Sequence, residues 1–263
     1  MHDLDRALLH LDFGESVALP GSPKIRDVWR EGIDADLWLL GGGLLLGIAG
    51  GVSAGVWCAT RPRSLVARVL EAGAMVVYCT PVYVVGLGLL LVFNSTFGIL
   101  PVPAFFDTDT YAGLLDRPWD WFRSLLFPWL VVAAPLGAAC LRLTTSMVIE
   151  ELEQDYVRTG VAKGLSPRTV VRRHAAPGAY PTLASAAWTF IPLVVTNVVL
   201  VETVFSVPGF FAKSKLAVSS ADIPMLQALS LWAGLLIVSL SVVVDVALHV
   251  LDPRIRRGAP PGA

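Results

Sequence analysis

Residues Gly51-Val52-Ser53-Ala54-Gly55 spell G-x-S-x-G, the spacing of a nucleophile elbow, in which a serine hydroxyl attacks an acyl carbon while acid and histidine partners move its proton. That elbow needs a sharp strand-to-helix turn. Ser53 instead lies inside a long apolar run, so no hydrolytic role is expected of it. The four histidines (His2, His10, His174, His249) never fall at i, i+4 around a glutamate, which leaves no visible zinc motif. Cys58, Cys79 and Cys140 sit in apolar runs with no paired spacing, the pattern of packing residues rather than of a disulfide or metal framework. No G-x-x-x-x-G-K-[ST] run is present, so the chain has no P-loop with which to cradle nucleotide phosphates. The sequence predicts no catalytic residue, no metal site and no cofactor. Energy for any work must come from elsewhere.

The elements that carry the remaining chemistry belong to a membrane. Of 263 residues 55% are hydrophobic and 16% charged, with mean hydropathy +0.66, well away from the quarter-charged composition of soluble domains. The formal net charge of −1 gives no bulk attraction to nucleic acid. Five apolar stretches, about 37–60, 69–93, 125–147, 183–206 and 228–250, each reach the roughly 20 residues a helix needs to cross about 30 Å of hydrocarbon. The expected fold is all-α, a polytopic bundle of about five transmembrane helices. Gly43, Gly47, Gly51 and Gly55 repeat every fourth residue in the first, a small-residue stripe that lets helix backbones approach closely in lipid.

Loop charges set the orientation. Arg61, Arg63 and Arg68 follow the first stretch, Arg158, Lys163, Arg168, Arg172 and Arg173 follow the third, and Arg254, Arg256 and Arg257 follow the fifth. Residues 1–36 hold eight acids against four bases, and Asp107, Asp109, Asp116 and Asp120 lie in 94–124. The excess of Lys and Arg marks the cytoplasmic side. This puts the N-terminus outside and the C-terminus inside, although Lys213 and Lys215 dissent. The chain divides into an extracytoplasmic segment 1–36, a transmembrane part 37–252 with a cytoplasmic loop 148–181, and a cytoplasmic tail 253–263.

That loop holds the strongest local signals. A helix over 147–163 continues the third stretch and is ended by Gly164, the residue most easily placed at a left-handed C′ position. Ser166 and Pro167 then supply an N-cap and first-turn residue for a second short helix from Arg168 to about His174. A cationic helix–Gly–helix elbow of this kind either lies on anionic headgroups or docks into a partner's groove.

The residues Asp155-Tyr156-Val157-Arg158-Thr159-Gly160-Val161-Ala162-Lys163-Gly164-Leu165-Ser166, with Arg173-His174-Ala175 after them, resemble the EAA loop of ABC importer permeases in the version of the dipeptide, oligopeptide and nickel group. Val201-Glu202-Thr203-Val204-Phe205-Ser206-Val207-Pro208-Gly209 and Leu251-Asp252-Pro253-Arg254-Ile255-Arg256 resemble two further blocks of its B-type subunit, in the same order. The resemblance implies a permease that forms half of a translocation pore beside a homologous C-type permease. Two ATPase subunits drive it from inside, and an extracytoplasmic binding protein delivers peptide or nickel. It further implies that Asp155, Tyr156, Arg158, Thr159, Gly160, Ala162, Lys163, Gly164, Leu165 and Arg168 form the coupling element gripped by the ATPase. Members of the group usually carry alanine at the position of Gly160 and proline at that of Thr182. A polar pair usually stands where this chain has Pro177 and Gly178, so the second elbow helix is expected to end early. The group also has a transmembrane helix ahead of the segment at Leu11-Asp12-Phe13, and the resemblance implies that this helix is missing here.

Arg142, Glu202 and Asp245 lie in or at the ends of apolar stretches, where mid-bilayer burial costs roughly 2.5–3.5 kcal/mol. Arg142 is expected to snorkel toward the cytoplasm. Glu202 and Asp245 are candidates for the translocation path, with structural pairing as the alternative for each, Asp245 with His249 at i, i+4. Pro81 and Pro192 are candidate kinks. A secondary transporter or channel without an ATPase remains the other reading; inverted repeats would mark it, and none is visible.

Overall fold

A computed structural model describes residues 13–92 and 114–251, without the side chains of 167, 168, 174, 180–182, 184–188 and 247–251. The 253–263 tail, Asp107, Asp109 and residues 1–12 of the acidic N-terminal stretch, with Asp3, Asp5 and Asp12, lie outside the described residues. Helices account for nearly everything else: α1 Ile25–Ala59, α2 Leu65–Cys79, α3 Val82–Leu91, α4 Pro118–Leu152, α5 Asp155–Ala162, α6 Pro167–Val170, α7 Ala176–Phe205, α8 Ser214–Ser219 and α9 Ile223–Leu251. A π turn, Val171–Ala175, joins α6 to α7, and a 3-10 turn, Phe211–Lys213, precedes α8. Among the described residues the sole β feature is an isolated bridge between Glu15 and Lys24.

This is an all-α polytopic membrane protein. Three helices are long and apolar enough to cross a bilayer, Ile25–Ala59, Pro118–Leu152 and Ile223–Val246, and α2 with α3 make a fourth span if the bent pair is counted as one. The expected fourth stretch lies in α7, whose described apolar part is Thr189–Phe205. The break between α2 and α3 falls at Thr80-Pro81, both extended, with ψ of 129° and 135°. Proline holds the residue before it away from the α region, so Pro81 divides its helix instead of merely kinking it.

Helix α1 opens at Ile25, well ahead of the apolar run at Leu37. Ile25, Val28, Gly32, Ala35 and Asp36 are buried while Arg26, Asp27, Arg30 and Glu31 are exposed, so an amphipathic stretch precedes the fully apolar one. At 35 residues α1 and α4 are each about 52 Å long at 1.5 Å per residue, beyond the roughly 30 Å of hydrocarbon.

The chain forms two compact units. The first comprises residues 1–44, 81–132 and 194–237. Its core includes Ile25, Leu39, Leu125, Val131, Val198, Phe205, Phe210 and Met225. Trp38, Trp121, Trp129 and Phe122 form an edge-to-face aromatic group with centroids 5.0–5.8 Å apart, and the Trp129 indole donates to the carbonyl of Trp38 at 2.8 Å. The second comprises 45–80, 133–193 and 238–263. There Ala59, Val148, Ala175 and Ala179 make a small-residue cluster, closed by Val56, Met147 and Leu152.

Candidate functional site

The elbow is built in the second unit from the end of α4 to the start of α7. Helix α4 stops at Leu152, and the chain turns through Glu153 and Gln154, whose N–H groups donate to Glu150 and Glu151. The expected uninterrupted helix over 147–163 is therefore two helices: Gln154 is extended, with ψ of 147°, and α5 restarts at Asp155, an acid at the positive end of its dipole. The end of α5 is a Schellman motif. Gly164 lies at φ +83°, its N–H bonds to the carbonyl of Val161 at 2.9 Å, and that of Leu165 bonds to Gly160 at 3.2 Å. A side chain at Gly164 would meet no atom within 4 Å, so glycine is required there by backbone conformation and not by space.

Ser166 caps α6. Its hydroxyl accepts the Thr169 N–H at 3.3 Å and lies 2.8 Å from the Thr169 hydroxyl, with Pro167 in the first turn. The second elbow helix does not end early, because it runs through a π turn straight into α7. The N–H of Ala176 reaches back to Val171, one residue further than in an α-helix. Pro177 lacks an N–H, and its ring crowds the carbonyl four residues back, so the chain widens just ahead of it and continues.

Helix α5 and the turn after it bury Val157 and expose Asp155, Tyr156, Arg158, Thr159, Val161, Ala162, Lys163, Gly164 and Leu165, with Gly160 half-buried. Arg168 stands in the first turn of α6, its side chain outside the described residues. The apolar members are uncovered, Tyr156 at 49%, Val161 at 55% and Leu165 at 39%. Arg158 and Asp155 approach to 3.9 Å, both strongly exposed, a pair of little energetic weight. The elbow is tied to the bundle through Glu151 at the end of α4. Its carboxylate accepts the Tyr156 hydroxyl and packs on Gly178, where a Cβ would stand 2.8 Å from Oε2. Burial first, then the Glu151 carboxylate beside it, pushes the Tyr156 phenol up to about 12.

Small residues bring α1 against α4. Gly43, Gly47, Gly51 and Gly55 are all buried. A Cβ on Gly47 would stand 2.9 Å from Leu136, one on Gly51 would collide with the carbonyl of Gly137 and with Cys140, and one on Gly55 would stand 2.7 Å from Leu141 and Thr144. The Thr145 hydroxyl donates to Leu141 at 2.8 Å and lies 3.3 Å from the carbonyl of Gly55. Ser53 is exposed on the other side of α1, its hydroxyl donating to the helix carbonyls of Ala49 and Gly50; the G-x-S-x-G run is helical throughout. Cys58 and Cys140 are buried but Cys79 is exposed, so packing accounts for two of the three.

Of the charges in apolar stretches, Arg142 is exposed. With Arg68, Glu71, Met75, Ser146 and Ile149 it lines an open cleft of about 520 Å³ in the second unit. Asp245 is half-buried on α9, and the side chain of His249 lies outside the described residues. Glu202 is fully buried in the first unit. Its Oε2 accepts the N–H of Ala212 at 2.9 Å, and Asp36, also fully buried, lies beside it. Asp36 was not legible as a site residue, since it stands at the edge of the apolar run among exposed acids. Asp222 was equally hidden. It caps α9 through Met225 N–H at 3.2 Å and gathers Ser16 Oγ at 2.6 Å and the N–H groups of Val17 and Ala18 at 3.0 Å.

Long apolar helices, a close glycine seam and an elbow with uncovered apolar side chains define a polytopic membrane protein. The family described as binding-protein-dependent transport system inner membrane component matches residues 51–257, and the chain belongs to that family. It is 32% identical over 213 residues to the probable peptide ABC transporter permease protein y4tP of Sinorhizobium fredii, covering 81% of this chain and 66% of that one. It is 28% identical over 257 residues to a putative peptide transport system permease protein of Brucella abortus, covering 95% and 77%. The oligopeptide transport system permease protein OppB of Mycobacterium bovis is 30% identical over 251 residues, covering 93% and 76%. The chain thus spans just under two thirds of the first of these relatives and about three quarters of the other two.

Proposed function

We propose that this chain is a permease subunit of an ATP-driven importer of peptides, forming half of a translocation pore beside a homologous permease of the C type. Two ATPase subunits supply the energy, and an extracytoplasmic binding protein supplies the peptide. The names of its relatives favour peptide over nickel. The elbow lies on the cytoplasmic side, with the N-terminus outside and the C-terminus inside, in keeping with the distribution of Lys and Arg.

The observation that carries the reading is the elbow itself: α5 and α6, set at a fixed angle by a Schellman turn at Gly164, with Tyr156, Val161 and Leu165 uncovered. A short rigid helix pair with apolar side chains among charges suits a partner's groove. Its tie through Glu151 gives the groove a lever on α4 and α7. The test is Lys163→Glu, and Gly164 replaced by a bulky residue, in the assembled transporter. Each variant should insert normally, lose at least tenfold in peptide uptake and fail to retain the ATPase subunits on purification. Unchanged co-purification and uptake would overturn the proposal.

A further inference from the structure

We infer that Asp36 and Glu202 share a single proton, which joins helix α1 to the turn that follows α7. The two side chains are the fully buried acids of the apolar helices in the first unit, each 0% exposed. Their carboxyls meet at the same face of Gly209, where a Cβ would collide with both Glu202 Oε2 and Asp36 Oδ1.

Counting donors identifies what lies between them. Asp36 Oδ1 accepts the Phe210 N–H at 2.8 Å and Oδ2 accepts the Trp232 indole N–H at 2.7 Å. Glu202 Oε2 accepts the Ala212 N–H at 2.9 Å. Glu202 Oε1 is buried with no hydrogen-bond partner. An ionised carboxylate is an acceptor only, so a hydrogen bond between two carboxyls requires a proton on one of them. A metal ion is a poorer occupant, because Mg²⁺ and Ca²⁺ want six or more oxygens and three of the four here are already committed to N–H groups. The ionisable neighbours on the surrounding elements are Arg30, Glu31 and Asp34 of α1, all exposed, Lys213 of the turn, half-buried, and Asp222 ahead of α9, already satisfied by Ser16 and backbone. Among the described residues none forms an ion pair with either carboxyl. Two anions buried side by side without a cation would repel strongly. One proton removes that repulsion and fills the empty place on Oε1.

The joint ties the segment Val207–Phe211 to α1 and to Trp232 of α9 at once. Glu202 and Gly209 both belong to the sequence block Val201–Gly209, which gives the block a structural reason that peptide contact would not: its acid and its glycine meet at one point, and Asp36 meets them there.

The experiment is infrared spectroscopy of the full chain in its assembled transporter, comparing wild type with Glu202→Gln and Asp36→Asn. Wild type should show a protonated-carboxyl C=O band that shifts in deuterated water, weaker by one carboxyl in either variant. Glu202→Gln should keep the wild-type melting temperature, since its amide N–H replaces the shared proton, whereas Asp36→Asn, which sets an amide N–H against that of Phe210 or Trp232, and Glu202→Leu should lower it. Absence of the band in wild type, its persistence in both amide variants, or a melting temperature that depends on sodium would overturn the inference. Should one amide variant fail to accumulate, the other and the wild-type spectrum decide. None of these readouts depends on the transported substrate or on an ATPase.

Discussion

Glycine is used in two different ways around α5, and single substitutions separate them. Gly164 has open space but a left-handed backbone, so Gly164→Ala should cost about 1 kcal/mol of local stability through strain alone. Gly160 is helical, and a Cβ there would meet Leu165 Cδ1 at 3.5 Å, ordinary contact. It occupies the C3 position whose apolar contact with C″ completes a Schellman motif. Gly160→Ala should therefore stabilise the elbow by about 0.5–1 kcal/mol, the helix-propensity gap between the two residues, plus that contact. Hydrogen exchange at the amides of Lys163 to Leu165 measures both changes, with slower exchange for Gly160→Ala and faster for Gly164→Ala; the same sign in both would be incompatible with the two roles. Asp222 is a third position where one side chain matters. Burial pushes its carboxyl up, but hydrogen bonds from Ser16, Ala18, Met225 and Val17 outweigh burial and hold it below the usual carboxylate range. Because the folded form prefers the ionised acid, its stabilisation is present above the unfolded pKa of about 3.9 and is lost as pH falls through the lower folded value. Asp222→Asn should remove that acid dependence and cost about 2–3 kcal/mol for the lost charged acceptor, measured as melting temperature against pH. An acid limb of equal steepness in the variant would refute the assignment.

At the scale of elements, the sequence made some features plain and concealed others, and the difference is physical. Long apolar runs, Ser166 and Pro167 as a helix start, and Gly164 as a helix end are local signals, each decided by neighbours within four residues. Helix limits were less legible. The amphipathic opening of α1 was missed because Ile25, Val28 and Ala35 are separated by charges, which lower mean hydropathy without breaking the helix. The gap between α4 and α5 has no proline or glycine to mark it, only the acidic run Glu150, Glu151, Glu153 and Asp155. The passage of α6 into α7 was mistaken for an end because Pro177-Gly178 reads as a stop. The π turn absorbs the proline, and Gly178 is needed for the approach of Glu151. Asp36 and Glu202 are 166 positions apart by their numbering, and no local pattern announces that they touch. Replacing Pro177 by alanine should let the turn at Val171–Ala175 relax toward α geometry. Rotating α6 about its axis in this way would misalign the elbow, so uptake should fall several-fold while insertion stays normal. Unchanged uptake would show that the elbow tolerates the change of register.

For the molecule as a whole, the bilayer removes the usual reason for helices to associate. Lipid tails are as apolar as leucine, so two helices stay together by close packing and by hydrogen bonds. The seam of Gly47, Gly51 and Gly55 on α4 provides both, since it brings the carbonyl of Gly55 within reach of the Thr145 hydroxyl and places the carbonyls of Ala133, Gly137 and Leu141 against glycine. It also continues toward the elbow, because Ala59 packs with Val148, Ala175 and Ala179. The elbow is therefore continuous in packing with a pair of helices meshed through their backbones. The prediction compares two neighbouring glycines. Gly50 has no atom within 4 Å of where a Cβ would stand, whereas the Cβ of Gly51 would overlap backbone of α4. Gly50→Leu should accumulate in membranes and transport as wild type does. Gly51→Leu should force the seam apart, reducing accumulation and uptake at least tenfold, because the obstacle is backbone and cannot rotate away. Equal behaviour of the two variants, read as membrane accumulation and uptake, would mean that α1 and α4 are held by something other than their backbones, and the continuity argued from the seam would fail with it.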